Sequence, residues 1–96
     1  METLNQIQSL LGNHRNSLFQ KYGIRNLAIF GSYARSEQNE NSDIDIMVEF
    51  NRPVGMEFIE LAEDLENILH KNVDLVSKNG IKPKYYKSIE NDLNYV

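Results

Sequence analysis

The sequence predicts an α/β layer structure built on a small three-stranded sheet. Segments with three- and four-residue apolar spacing alternate with short apolar or strictly alternating runs, the pattern of helices laid against a sheet. The predicted order is helix, strand, short helix, strand, helix, strand, helix. At 96 residues, 41% hydrophobic and 25% charged, the chain reads as one globular domain over 1–96. It shows no internal repeat and no low-complexity tract.

Each element has its own justification. Leu4, Ile7, Leu10, Leu11, Leu18 and Tyr22 form one apolar stripe, which predicts a helix over 4–22 with Thr3 as N-cap and Gly23 as its stop. Gly12-Asn13 weakens the middle by roughly 1 kcal/mol relative to alanine, so a kink or two shorter helices are alternatives. Arg25 to Phe30 is a short apolar run ended by Gly31, a buried strand. Ser32 to Glu37 is expected to begin a short helix, and Glu37 to Ser42 an exposed turn. Asp43 to Phe50 alternates strictly, placing Ile44, Ile46, Val48 and Phe50 on one face and Asp43, Asp45, Met47 and Glu49 on the other.

Beyond the Pro53 loop, Met56 to His70 is an amphipathic helix: Phe58, Ile59, Leu61, Ala62, Leu65, Ile68 and Leu69 form its stripe, and five acids decorate the rest. Val73 to Val76 is a third strand, Asn79-Gly80 a turn, and Pro83 to Tyr95 a last helix with proline in its first turn.

Composition excludes several classes. Fourteen acidic against ten basic residues give a net charge of −4, the wrong sign for a chain that coats nucleic acid. The absence of cysteine removes disulfides, thiolate zinc sites and thiol nucleophiles. No apolar run approaches membrane-spanning length. The first residues lack the basic-then-apolar character of a signal peptide, so the expected location is the cytoplasm.

The chemistry concentrates in two places. Asp43 and Asp45 leave the same strand face with Cα atoms roughly 6.5–7 Å apart. Such carboxylates repel and raise each other's pKa unless a cation lies between them, and magnesium, small and oxygen-seeking, is the natural candidate. The bland alternative is two solvent-facing acids on an edge strand. Upstream, Gly31-Ser32 ends a strand where glycine permits close approach and free amides favour an anion. The structural alternative there is a strand stop and a helix cap. Asp74, among apolar neighbours in Val73-Asp74-Leu75-Val76, is the candidate third carboxylate of a two-metal site, provided that the second and third strands are adjacent.

Gly31-Ser32-Tyr33-Ala34-Arg35, followed by Ser42-Asp43-Ile44-Asp45 and Val48, resembles the signature of the DNA polymerase β-type nucleotidyltransferase superfamily. Within it the chain is similar to the minimal nucleotidyltransferases, short proteins consisting of little but the catalytic core. The likeness extends to Lys21-Tyr22-Gly23, the Val73–Val76 strand and Ile81-Lys82-Pro83, and so covers nearly the whole chain.

The resemblance implies a nucleotidyltransferase fold with a mixed sheet. It implies that Gly31 and Ser32 hold the β- and γ-phosphates of ATP, and that Asp43 and Asp45 bind two Mg2+ ions. Asp74 would ligate one of them and help deprotonate the acceptor. Arg35 either contacts phosphate or braces the loop, and Ser42 caps the turn into the metal strand and orients Asp43. Ser36 departs from the pattern, because many relatives carry glycine there.

The activity implied is transfer of AMP from ATP to a tyrosine of a HEPN-domain RNase toxin, with the chain as antitoxin. The alternatives are neutralisation by binding alone, through helix 56–70 and the segment Ile81 to Val96 with Tyr85, Tyr86 and Tyr95, or transfer to a small molecule. Five of the ten basic residues lie between Lys71 and Lys87 and read mostly as a solvated end, with a partner or phosphate contact as the alternative. His14 and His70 read as bystanders.

Overall fold

The computed structural model describes residues 2–96. Helix α1 spans Leu4–Tyr22 and runs unbroken through Gly12-Asn13. Its start is a capping box: the Thr3 hydroxyl accepts the Gln6 N–H, and the Gln6 side chain accepts the Thr3 N–H. Gly23, at φ 66° and ψ 48°, ends it by donating its N–H to the Phe19 carbonyl.

Strand β1 (Ile24–Phe30) pairs antiparallel with β2 (Ile44–Phe50). Helix α2 (Glu57–Leu69) then crosses over to β3 (Val73–Ser77), which pairs parallel with β2. The last helix, α3, covers Pro83–Ile89 and is followed by a 3-10 turn at Glu90–Asp92. Strand β4 (Asn94–Tyr95) joins the free edge of β1, giving a mixed sheet of order β3-β2-β1-β4.

Three expectations are corrected. The sheet has four strands rather than three, because two residues at the C-terminal end pair with Ala28 and Ile29. The last helix ends at Ile89 rather than Tyr95, because the backbone turns extended at Leu93 to reach that edge. The short helix after Ser32 does not form. Residues 32–36 make overlapping turns instead, closed by hydrogen bonds from Arg35 N–H to the Gly31 carbonyl (3.2 Å) and Glu37 N–H to the Ser32 carbonyl (2.9 Å). Ser36 sits at φ 58°, which halts any right-handed helix there.

Both sheet faces are covered. Ile44, Ile46, Val48 and Phe50 pack with Leu27 and Ile29 under Ile7, Leu11 and Leu18 of α1 and Leu61, Leu65 and Leu69 of α2. The buried Tyr22 hydroxyl donates to Asp64, which also pairs with Lys21 Nζ at 3.0 Å, joining α1 to α2. On the opposite face Ala28, Phe30, Met47 and Ile89 form a second cluster with Val76, Ile81, Tyr86 and Leu93. Met47 lies on the same face as the acids, as the alternation predicts, yet it is 0% exposed because α3 covers that end.

Candidate functional site

Cross-strand partners stand side by side on one face of a sheet. On the α3 face, Asp45 of β2 is flanked by Phe30 of β1 and Asp74 of β3, so these three residues form one row. Strands β2 and β3 are therefore adjacent, as the reading of Asp74 required. The next row carries Ala28, Met47 and Val76. Asp43 precedes β2 and lies on the side of Asp45 away from that apolar row. One end of this face is thus acidic and open, and the other apolar and covered.

The three acids differ in surroundings. Asp43 and Asp74 are exposed, whereas Asp45 is half-buried. Burial, followed by the charges of Asp74 and Asp43 and a hydrogen bond with Asp74, pushes the Asp45 carboxyl up to about 6, against the opposing field of Arg35. Asp74 is exposed rather than enclosed by its apolar neighbours, since Val73 and Leu75 point to the other face. Among the described residues, no three His, Cys, Asp or Glu side chains converge closely enough to hold a metal ion by themselves. The pair that the register brings together is Asp45 and Asp74.

Gly31 begins the loop beside this row. Its φ of 75° lies in the left-handed region, and a Cβ there would run into the Asp45 carboxylate. Glycine is therefore required twice, by backbone conformation and by contact with an acid. Ser32 follows, half-buried. The predicted phosphate loop and the predicted metal strand touch at Gly31 and Asp45.

Arg35 lies on the exposed side of the loop. Its Nε donates to Glu37 at 2.9 Å and its Nη1 to Asp92 at 2.6 Å, which raises its pKa and ties the loop to the 3-10 turn before β4. In this structure the guanidinium is engaged with these two carboxylates. A guanidinium has five N–H groups, so this bracing leaves others uncommitted.

Ser42 closes the turn into β2. Its hydroxyl accepts the Asn39 N–H at 3.0 Å and its own N–H donates to the Asn39 carbonyl at 3.1 Å. These bonds close the turn that precedes Asp43.

A polar groove of about 390 Å3, lined by Ser42, Asp43, His70, Lys71 and neighbouring residues, opens beside Asp43. Sequence reading left His70 and Lys71 outside the site. They border it because Ile44 N–H donates to the Asn72 carbonyl at 3.0 Å, a long-range pairing with no local sequence signal.

Residues 11–96 match the family described as "Nucleotidyltransferase domain". Over the whole of both chains, the protein is 52% identical to a Methanocaldococcus jannaschii chain named "putative protein adenylyltransferase". It is 42% identical to "protein adenylyltransferase MntA" of Thermococcus cleftensis, covering 100% of this chain and 98% of that one. A solved toxin-antitoxin structure with AMP-PNP has the same fold, with a TM-score of 0.72 at 27% identity over 86% of this chain and 69% of that chain. With its loop-and-strand geometry and full-length likeness to short adenylyltransferases, the chain belongs to the nucleotidyltransferase domain family.

Proposed function

We propose that this protein is a protein adenylyltransferase that transfers AMP from ATP to a tyrosine hydroxyl of a partner HEPN-domain toxin, and so acts as its antitoxin. The observation that carries this reading is Asp45 set directly against Gly31, with Asp74 beside it in the same row. The named adenylyltransferase relatives and the AMP-PNP-containing toxin-antitoxin of the same fold support it.

The donor set fits magnesium. Mg2+ is ordinarily held by one or two carboxylates together with substrate phosphates and water, rather than by an all-protein cage. A cross-strand Asp45–Asp74 pair with Asp43 above it supplies hard oxygen ligands in that number. Burial first, and then the charges of Asp74 and Asp43, raise the Asp45 carboxyl to about 6, a cost that a bound cation would offset. When bound, two such ions offset phosphate charge and favour both the attacking and the departing oxygen.

The residues of this chain then have distinct tasks. Gly31 lets the backbone pass close to the triphosphate, and Ser32 adds a hydroxyl donor at its β- and γ-phosphates. Arg35 holds the loop in place through Glu37 and Asp92. Asp74, the exposed member of the pair, takes the proton of the acceptor hydroxyl on its carboxylate. The tyrosine oxygen forms a bond to the α-phosphorus as the bond from that phosphorus to the bridging oxygen breaks. Pyrophosphate carries away the electron pair.

The acid row also weighs against neutralisation by binding alone. A half-buried carboxyl raised to about 6 disfavours the folded state at neutral pH, and a chain that only bound its partner would have no use for it.

The test is transfer of label. The chain is incubated with the HEPN-domain protein of the neighbouring gene, Mg2+ and ATP labelled at the α-phosphate. Label on the partner, with a mass gain of one AMP per transfer, is expected. A stable complex without label would mean neutralisation by binding, and transfer from the γ-position would mean a kinase.

A further inference from the structure

We propose that the lysine-bearing face of α3 is a docking surface for an acidic patch on the acceptor protein. This rests on the adenylyltransferase reading above and names the surface that brings the acceptor to the site.

The charge distribution is the first observation. Residues 75–89 contain Lys78, Lys82, Lys84 and Lys87 and no acid, whereas all fourteen acidic residues lie elsewhere. Lys78 is partly occupied, 3.9 Å from Glu49 and over the Tyr86 ring. Among the described residues, Lys82, Lys84 and Lys87 make no ion pair.

The second observation is that this pattern works against the helix that carries it. Lys82 stands at the N-cap of α3 with no side-chain capping bond, and no acid occupies the first turn. Lysines there oppose the helix dipole, and Lys84 and Lys87 form a like-charged i,i+3 pair. Lys87, in the last turn, suits the dipole, whereas Lys82 and Lys84 at the N-terminal end are the charges that an acid from outside the chain would offset.

The surface has an anchor and the right position. A groove of about 650 Å3 is lined by three lysines, Lys78, Lys84 and Lys87, by Ile81 and Tyr86, and at the end of α3 by one acid, Glu90. Tyr85, which lines a second groove with Ile81 and Lys82, and Tyr95 are 47% and 53% exposed. Aromatic residues within a charged rim are the usual composition of a protein interface.

Helix α3 packs on the row holding Ala28, Met47 and Val76, and that row lies one side-chain repeat, roughly 7 Å, from Asp45 and Asp74. A protein seated on α3 therefore presents its near edge to the carboxylates. An apolar-lined groove with one lysine per helical turn suits an acidic protein surface better than the continuous phosphate track of a nucleic acid.

The experiment compares wild type with Lys84→Glu/Lys87→Glu, both full length, with the HEPN-domain partner as probe. An acid at position 84 suits the N-terminal end of the α3 dipole and one at position 87 opposes its C-terminal end, so the two effects offset and the melting temperature is expected to change little, which separates docking from misfolding. Partner affinity should drop at least tenfold and wild-type binding should weaken as salt rises. AMP transfer at saturating partner should persist, with only the partner's KM raised. Lys84→Gln/Lys87→Gln should fall between the two.

Unchanged partner affinity in the reversal variant, with transfer intact in wild type, overturns the docking surface alone. Preferential binding of single-stranded RNA by wild type that the reversal abolishes overturns it in favour of nucleic acid. Self-association of wild type that the reversal abolishes overturns it in favour of a second copy. A partner neither bound nor labelled by wild type overturns the functional reading and this inference with it.

Discussion

Asp45→Asn should stabilise the metal-free protein at neutral pH while abolishing nucleotide transfer. The Asp45 carboxyl is raised from 3.8 to about 6 in the folded chain. Two units correspond to about 3 kcal/mol at 1.36 kcal/mol per unit. The group is only half-buried, and solvent screening reduces this to about 1–1.5 kcal/mol. For a domain of this length, that is a gain of about 5–10 °C in melting temperature.

The sign follows from linkage. A carboxyl with a raised folded pKa contributes its full stability below the unfolded value, and that contribution is lost as pH rises through the folded value. Wild type and variant should therefore melt nearly together at pH 4. The gap should open between pH 4 and 6 and level off above pH 7. The measurement is thermal unfolding by circular dichroism in chelator from pH 4 to 8, paired with label transfer at pH 7.5. Added magnesium should raise the melting temperature of wild type and not of the variant. A variant less stable than wild type at pH 8, or a gap that widens toward low pH, would refute the argument that crowding and burial strain Asp45.

Other perturbations test the loop and the helical face. Gly31→Ala meets both a left-handed backbone and the Asp45 carboxylate and should cost about 2–3 kcal/mol in urea unfolding; in an Asp45→Ala background the cost should fall by at least about 1 kcal/mol if the contact is responsible. Ser36→Gly relieves a serine at φ 58° and should stabilise by about 0.5–1 kcal/mol, since the left-handed penalty exceeds the added unfolded-state entropy; an unchanged midpoint would mean that the loop holds no strain there. Tyr22→Phe removes the hydroxyl that donates to Asp64 and should cost about 1–2 kcal/mol at pH 7. That bond and Lys21 hold the Asp64 carboxyl below its usual range, so the Tyr22→Phe cost should shrink as pH falls and Asp64 protonates; a cost constant from pH 7 to pH 3 would show that the charge plays no part.

How far the sequence foretold this molecule depends on whether an element's signal was local. Helix α1 was legible from Thr3 to Gly23 because its cap, stripe and stop all lie within its own span. Strand β2 was legible because alternation is a property of the strand itself. Strand β4 was not: two residues carry no period, and their pairing with Ala28 and Ile29 depends on where α3 releases the chain. The turns at 32–36 read as a helix because a serine cap followed by alanine and arginine suits one, and nothing local announces the left-handed Ser36.

The site divides the same way. Residue types and spacing nominated Gly31, Ser32, Asp43, Asp45 and Asp74, but the register that sets Asp45 against Asp74 and over Gly31 belongs to the sheet. The alternation of 43–50 placed Met47 with the acids and implied a wet face, whereas α3 makes that face half core and half site. That division has a consequence for chemistry. Packing Phe30 and Met47 against Ile89 of α3 fixes the row on which Asp45 stands, and partial burial beside that apolar cluster is the largest cause of the raised Asp45 carboxyl. Asp45 is thus held in its row by the same cluster that withdraws water from it.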